Sequence, residues 1–266
     1  MASFSSYHLI FIFSLLLTYC SAEDPWWSFC NANKKIDNTQ ISSNIDNILP
    51  QLVSQASTRG YTYLSSGSSN DRVYGLAQCR GDVLNTEECS TCIKEASTQI
   101  QKLCPNQADA RILYEFCFLR YDTHDFAGEL DTSNGLIYWN VENVTGDPAA
   151  FAKVLGELTD KVVDEALVRL TMDRKNRIGY AKGETKLTTF TTLYSLVQCT
   201  RDLSKSACSQ CLATAIANYD GFCKDKKGCR AVYSSCFVRY ELYPIAYPVN
   251  SINSTQNVYS RHLLHP

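Results

Sequence analysis

Four cysteines of this chain, Cys89, Cys92, Cys104 and Cys117, return as Cys208, Cys211, Cys223 and Cys236, each 119 positions later. Arg111, Arg120 and Tyr121 return at the same offset as Arg230, Arg239 and Tyr240. The string Tyr74-Gly75-Leu76-Ala77-Gln78-Cys79 has its counterpart in Tyr194-Ser195-Leu196-Val197-Gln198-Cys199. Self-similarity at one fixed spacing marks a duplicated unit, and 266 residues leave room for two domains of ordinary size. The chain therefore reads as two copies of one small cysteine-rich domain, over residues 24–127 and 133–246. A turn-rich linker at 131–134 joins them, and a loose tail is expected over 247–266.

The first 22 residues differ from the rest. Residues 9–17 form an apolar run of the length of a signal-peptide core, too short to span a bilayer. Cys20 and Ala22 put small residues at the −3 and −1 positions of a cleavage after Ala22. No Lys or Arg precedes the run, so the free amino group supplies the positive end. No later apolar stretch is long enough to cross a membrane, and the mature chain is expected to be exported without a membrane span. Of the 13 cysteines, Cys20 falls in the signal, and the even remainder suits a complete disulfide set in an oxidising compartment. Two sequons, Asn143-Val144-Thr145 and Asn253-Ser254-Thr255, mark Asn143 and Asn253 as glycosylation acceptors. A net charge of −2 with no Lys/Arg run argues against nucleic acid as a partner.

Helical stripes run through Ile41, Ile45, Ile48, Leu49, Leu52, Val53 and Ala56, and through Phe151, Val154, Leu155, Leu158, Val162 and Ala166. Pro50 interrupts the first of them. A β-prone stretch ends at Cys79 or Cys199, a second helix begins at each Cys-x-x-Cys, and one strand follows over 111–121 or 230–240. Each copy is then two helices packed on a small antiparallel sheet, an α+β architecture repeated in tandem and stapled by disulfides.

Paired Cys-x-x-Cys motifs also suit zinc or a redox centre. Here the pairs belong to separate domains of an exported chain, and further cysteines flank each pair, so they read as structural staples with no metal. Six cysteines per domain allow 15 connectivities, and spacing alone does not choose among them. Catalysis finds little material. Of 4 histidines, His8 lies in the signal, His262 and His265 in the tail, and His124 on the surface. Glu87 and Glu88 read as solvated loop charge. No phosphate-binding loop or nucleophile elbow is present, and neither an enzyme nor a cofactor is expected.

The spacing Cys-x8-Cys-x2-Cys at Cys199, Cys208 and Cys211 resembles that of plant cysteine-rich repeat secretory proteins. So do the string ending at Cys79 and the string Arg239-Tyr240-Glu241-Leu242-Tyr243-Pro244. Their repeat is the ginkbilobin-type domain, also called the stress-antifungal domain or domain of unknown function 26. The first copy departs by one residue, with nine between Cys79 and Cys89. The resemblance implies bridges Cys30–Cys104, Cys79–Cys89 and Cys92–Cys117 in the first copy. In the second it implies Cys199–Cys208 and Cys211–Cys236, with Cys223–Cys229 for a copy that lacks a partner of Cys30 but carries the extra Cys229.

It also implies a sugar site. Ginkbilobin resembles a mannose-binding antifungal lectin whose contacts correspond to Asn31, Arg111 and Asp122 in the first copy, the last replacing a Glu. The second copy matches at Arg230 and Glu241 and has no Asn. An amide, a guanidinium fork and a carboxylate together satisfy the vicinal hydroxyls of a sugar. The same charges also suit an ion pair within a sheet. Two functions follow as expectations. One is an apoplastic, antifungal defence lectin for mannose-type glycans. The other is a non-lectin extracellular module that binds a protein partner and resembles the ectodomains of cysteine-rich receptor-like kinases and plasmodesmal receptors, without membrane span or kinase.

Overall fold

The computed structural model describes residues 24–84, 86–172, 178–248 and 258–264. The expected signal segment, Asn253 and His265 lie outside the described residues. The first repeat contains β1 (Trp27–Cys30), α1 (Thr39–Arg59), β2 (Tyr61–Ser66), β3 (Val73–Cys79), α2 (Glu87–Leu103), β4 (Asp109–Leu113) and β5 (Cys117–Asp122). The second contains β6 (Gly135–Asn140), α3 (Pro148–Leu170), β7 (Tyr180–Lys186), β8 (Thr192–Cys199), α4 (Lys205–Phe222), β9 (Gly228–Tyr233), β10 (Cys236–Glu241) and β11 (Tyr259–Leu264). The sheets are antiparallel, in the orders β1-β4-β5-β3-β2 and β11-β6-β9-β10-β8-β7. The architecture is α+β in two domains.

Local chemistry sets the helix ends. Asn38 caps α1 by accepting from the Ile41 amide at 2.8 Å, and Gly60 ends it at φ 69°, in the left-handed region. Thr86 caps α2 and Ser204 caps α4 in the same way. The helix runs through Pro50. Six disulfides tie these elements together: Cys30–Cys104, Cys79–Cys89, Cys92–Cys117, Cys199–Cys208, Cys211–Cys236 and Cys223–Cys229.

Two expectations are corrected. The stretch 111–121 is two strands, β4 and β5, folded back on each other, with the Tyr114 amide donating to the Cys117 carbonyl at 2.8 Å. Tyr114 and Phe116 in the connection are strong strand formers, which makes the run look continuous in sequence. The same holds for β9 and β10. The tail is not loose where it is described. Tyr259–Leu264 adds to the open edge of β6 as β11, buries Leu264 in the second core and stacks His262 on Phe222 at 5.0 Å. An uncovered strand edge presents unpaired backbone groups, and β11 satisfies those of β6.

Each sheet packs one face on its own two helices. Ile48, Leu52, Ile93, Ile112 and Leu119 represent the first core, and Val162, Leu212, Ala231 and Val238 the second. Strand alternation aims the intervening residues the other way. Those faces meet each other, joining Trp27, Leu76, Leu113 and Phe118 of the first repeat to Tyr180, Leu196, Val232 and Phe237 of the second. The layers therefore run helix, sheet, sheet, helix. At the centre two glutamines exchange bonds across a pseudo-twofold axis. Gln78 donates to the Cys199 carbonyl at 3.0 Å and accepts from the Arg201 amide at 2.8 Å. Gln198 donates to the Cys79 carbonyl at 3.2 Å and accepts from the Gly81 amide at 3.0 Å. Gly81 lies so near Tyr180 that a Cβ there would collide with it.

Replacing either glutamine by leucine removes a partner from one buried carbonyl and one amide. We expect Gln78→Leu and Gln198→Leu to lose about 1–3 kcal/mol each in denaturant titrations. A neutral effect at either site would show that the seam does not depend on these bonds.

Candidate functional site

The residues implied as sugar contacts stand on the sheet face that meets the second repeat. On β4 and β5, Asp109 faces Asp122 and Arg111 faces Arg120, and Phe29 of β1 lies beside Arg111. Like charges directly opposite each other are unfavourable, so each row requires counter-charges from its neighbours. Arg111 and Asp122 therefore sit on adjacent strands rather than along one strand and its continuation.

Asn31, Arg111 and Asp122 are brought together around Asp109. The Asn31 amide donates to Asp109 at 2.9 Å, and its oxygen accepts from the Asn33 amide at 3.1 Å. Arg111 is 4% exposed. Its Nε and Nη2 donate to Asp109, and its Nη1 donates to Asp131 and, at 2.6 Å, to Ser234 of the second repeat. Its guanidinium lies 4.8 Å from the centre of the Phe29 ring. Asp122 is 2% exposed and accepts from Lys34 at 2.8 Å, from the His124 amide at 3.0 Å and from Arg120 at 3.4 Å. Lys34 forms the partly open rim.

The cluster continues across the seam. Glu115, in the connection between β4 and β5, accepts from Arg80 of its own repeat and from Nη1 of Arg239 in the second, through both oxygens at 3.0 Å. Arg80, wholly buried, also donates to Asp82 at 2.7 Å and to the Ile245 carbonyl at 3.2 Å. Asp131 binds both Arg111 and Arg120. Burial raises the Asp131 carboxyl, but the charges of Arg111 and Arg120 and the Ser133 bonds outweigh it and hold it below the usual carboxylate range. For Asp82 burial is likewise overcome, here by Arg80 and the Tyr247 amide. Arg120 moves down, chiefly through burial and then through repulsion from Arg111.

In the second repeat the matching place is filled. Trp26 lies 4.5 Å from the Arg230 guanidinium and 5.1 Å from that of Arg239, and its carbonyl accepts from the Tyr138 hydroxyl. Glu241 is fully buried and accepts from Arg239 at 3.1 Å, Arg230 at 3.4 Å and the Tyr259 hydroxyl at 2.8 Å. Gly228 stands opposite it, and a Cβ there would collide with the Glu241 carboxylate. In the first repeat Asp109 takes the place of that glycine, and the shorter Asp122 takes the place of Glu241.

Trp26, Glu115, Asp131 and Ser234 were not legible as members of this cluster, because each arrives from a loop or a distant segment. Asp109 had a signal: it lies two residues before Arg111 on the same strand face. Glu87 and Glu88, expected in a loop, form the first turn of α2, where negative charge suits the helix dipole. His124 pairs with Glu129 at 2.9 Å on the surface. Asn143 is exposed and accepts from Lys226 at 2.8 Å.

Two outcomes follow. Arg111→Ala removes the buried cation that Asp109 pairs with and one of the two that Asp131 binds. It should cost about 3 kcal/mol, or roughly 6–12 °C in Tm for a protein of this size, measured by calorimetry. For Asp82 and Asp131 the folded pKa lies below the unfolded one. Their contribution is complete above the unfolded value, near 4, and is lost as pH falls through the folded value. Unfolding midpoints should fall steeply below about pH 4, and Asp131→Asn should flatten that acid limb.

The family model described as "Salt stress response/antifungal" matches twice, at residues 29–124 and 140–243. Cysteine-rich repeat secretory protein 55 of Arabidopsis thaliana is 50% identical, covering 93% of this chain and 93% of that protein. An antimicrobial ginkbilobin-2-like protein of Castanea crenata is 37% identical over 88% of this chain and 93% of its own. Among solved structures, the tandem DUF26 ectodomain of the Arabidopsis thaliana cysteine-rich receptor-like protein PDLP8 aligns with a TM-score of 0.67 at 28% identity, covering 82% of this chain and 97% of that one. With two matched domains and relatives similar along nearly its whole length, the chain belongs to the Salt stress response/antifungal family.

Proposed function

We propose that the chain is a secreted, non-enzymatic stress or defence protein that works in the extracellular space as a protein-interaction module. The observation that carries this reading is the state of Arg111. Its donors are taken by Asp109, Asp131 and Ser234, and its exposure is 4%. A sugar hydroxyl reaching this guanidinium would have to displace buried, charge-assisted bonds that also join the two repeats. The arginine and carboxylate rows are then a lock that fixes two domains as one rigid body with a defined outer surface. Secretory and antimicrobial relatives support the extracellular setting. In the described residues no helix is long and apolar enough to cross a membrane.

One observation favours a mannose-type glycan ligand instead. Asn31, Arg111 and Asp122 converge on one carboxylate pair whose rim is open at Lys34. Calorimetry and a mannan pull-down on the mature protein separate the two readings. The interaction reading expects no saturable mannose or mannan binding, with Asn31→Ala leaving the fold intact. Saturable binding that disappears in Asn31→Ala at unchanged Tm would overturn it in favour of the lectin.

A further inference from the structure

The outer, helical faces of the two repeats are built on one plan and finished differently. In the first, the groove between α1 and α2 is crossed by a hydrogen bond from Gln101 to Asp46 at 2.8 Å. Ser97 and Thr98 line it with hydroxyls, and its volume is about 390 Å³. In the second, the groove between α3 and α4 holds Gly156 and Asp220 at the corresponding places, with no bridge between them among the described residues. Ile216 and Ala217 replace the hydroxyl pair, Phe151 and Leu155 complete the apolar floor, and the volume is about 800 Å³. The duplication supplies its own control: the same two helices frame a smaller groove bridged by a hydrogen bond in one copy and a larger, more apolar, unbridged groove in the other.

Charge is distributed around that floor in a definite way. Asp147, Asp160, Asp220 and Asp225 stand along the rim against a single cation, Lys224. Asp147 is engaged as the cap of α3, accepting from the Ala149 amide at 2.9 Å. Asp160 and Asp220 are exposed, and neither has an ion-pair partner among the described residues. Gly156 sits mid-helix, where glycine costs stability relative to alanine, and a Cβ there would meet nothing within 4 Å. Its effect is to keep the groove wall low.

We infer that the α3–α4 groove is a docking site for an amphipathic helical segment of a partner protein, with apolar side chains on one stripe and Lys or Arg flanking it. The inference rests on reading the chain as a protein-interaction module and names the surface and the partner chemistry. The lining along α3 runs from Asp147 to Asp160, about 20 Å at 1.5 Å per residue, enough for three to four turns of a bound helix. A helix laid in a groove uses anchors at i, i+3, i+4 and i+7, and the apolar floor accepts them. The bare aspartates on the rim face the flanking cations, which selects basic partners and speeds their encounter.

The test uses the full mature protein and a labelled synthetic helix of leucines at i, i+3, i+4 and i+7 flanked by lysines, titrated by fluorescence anisotropy. Wild type should bind saturably and more weakly as salt rises. Gly156→Lys, which places a cation in open space on the groove wall, should weaken binding about tenfold or more with Tm unchanged or raised. Asp160→Asn with Asp220→Asn should weaken it about tenfold and reduce its salt dependence. Gln101→Ala in the first repeat should leave binding unchanged. No binding by wild type, or binding that survives both groove variants, would overturn the groove assignment. That failure is distinct from failure of the interaction reading, which mannose binding lost in Asn31→Ala would overturn whatever the groove variants do.

Discussion

A sheet has two faces to bury, and the helices of each repeat cover just one of them. The second face carries Leu76, Leu113 and Phe118 in the first repeat, and Leu196, Val232 and Phe237 in the second. Exposed to water, either would be a contiguous apolar patch of the kind that drives association. Packed on each other, they become a third core between two ordinary ones. Most other features of the molecule are arranged around that contact. The glutamine exchange at Gln78 and Gln198 fixes its register, Gly81 sets how closely the repeats approach, and Trp26 and Ile245 pack into it from outside the strands.

The charged rows at the seam have to be understood in the same frame. Paired arginines facing each other in a sheet would repel, and burial makes the repulsion worse. The structure resolves this by supplying carboxylates from several directions: Asp109 and Asp122 from the strands, Asp131 from the linker, and Glu115 from the neighbouring repeat. Because Glu115 serves Arg80 and Arg239 at once, the ionic network crosses the same boundary as the apolar one. A cluster whose hydrogen-bonding capacity is spent on holding domains together has little left for a ligand. In the reading proposed above, the residues that a resemblance marks for sugar serve as a lock. The outer helical faces, which carry none of this burden, are freer to differ, and the two copies do differ there.

Duplication also explains how the copies diverged without losing the plan. The longer Glu241 is admitted by Gly228, whereas Asp109 opposite Asp122 takes up that room in the first repeat. The bridge between Cys30 and Cys104, with a sequence separation of 74, anchors the outermost strand of the first sheet to the end of α2. The second repeat has a bridge of separation 6 at the matching end of α4, and its outermost strand is β11, held by pairing to β6. A strand at the outer edge of a sheet, far in sequence from what it is tied to, gains most from covalent closure. β6, which pairs with β9 as β1 pairs with β4, follows directly from the first repeat and needs less.

Much of this was written in the chain itself. The 119-residue offset carries the duplication, the helical stripes carry α1 and α3 with their buried faces, the Cys-x-x-Cys pairs mark α2 and α4, and the cysteine set matches a known repeat. These are local or periodic features, and each residue's part follows from its near neighbours. The split of 111–121 into two strands was hidden, because aromatic loop residues imitate a strand. The tail was hidden too, since six residues of weak alternation do not announce an edge that happens to be vacant elsewhere. What tertiary structure alone decided is the fate of the second face of each sheet. The register of β3, β4 and β5 turns Arg111, Arg120 and Leu76 to one face. It does not say whether they meet water, a sugar or another sheet. Asp131 reaches Arg111 from the linker, and only when the two repeats close on each other does Ser234 reach Arg111 and do Glu115 and Trp26 reach Arg239. Except for Arg111 with Asp131, these contacts join residues more than a hundred positions apart, and no local pattern encodes them.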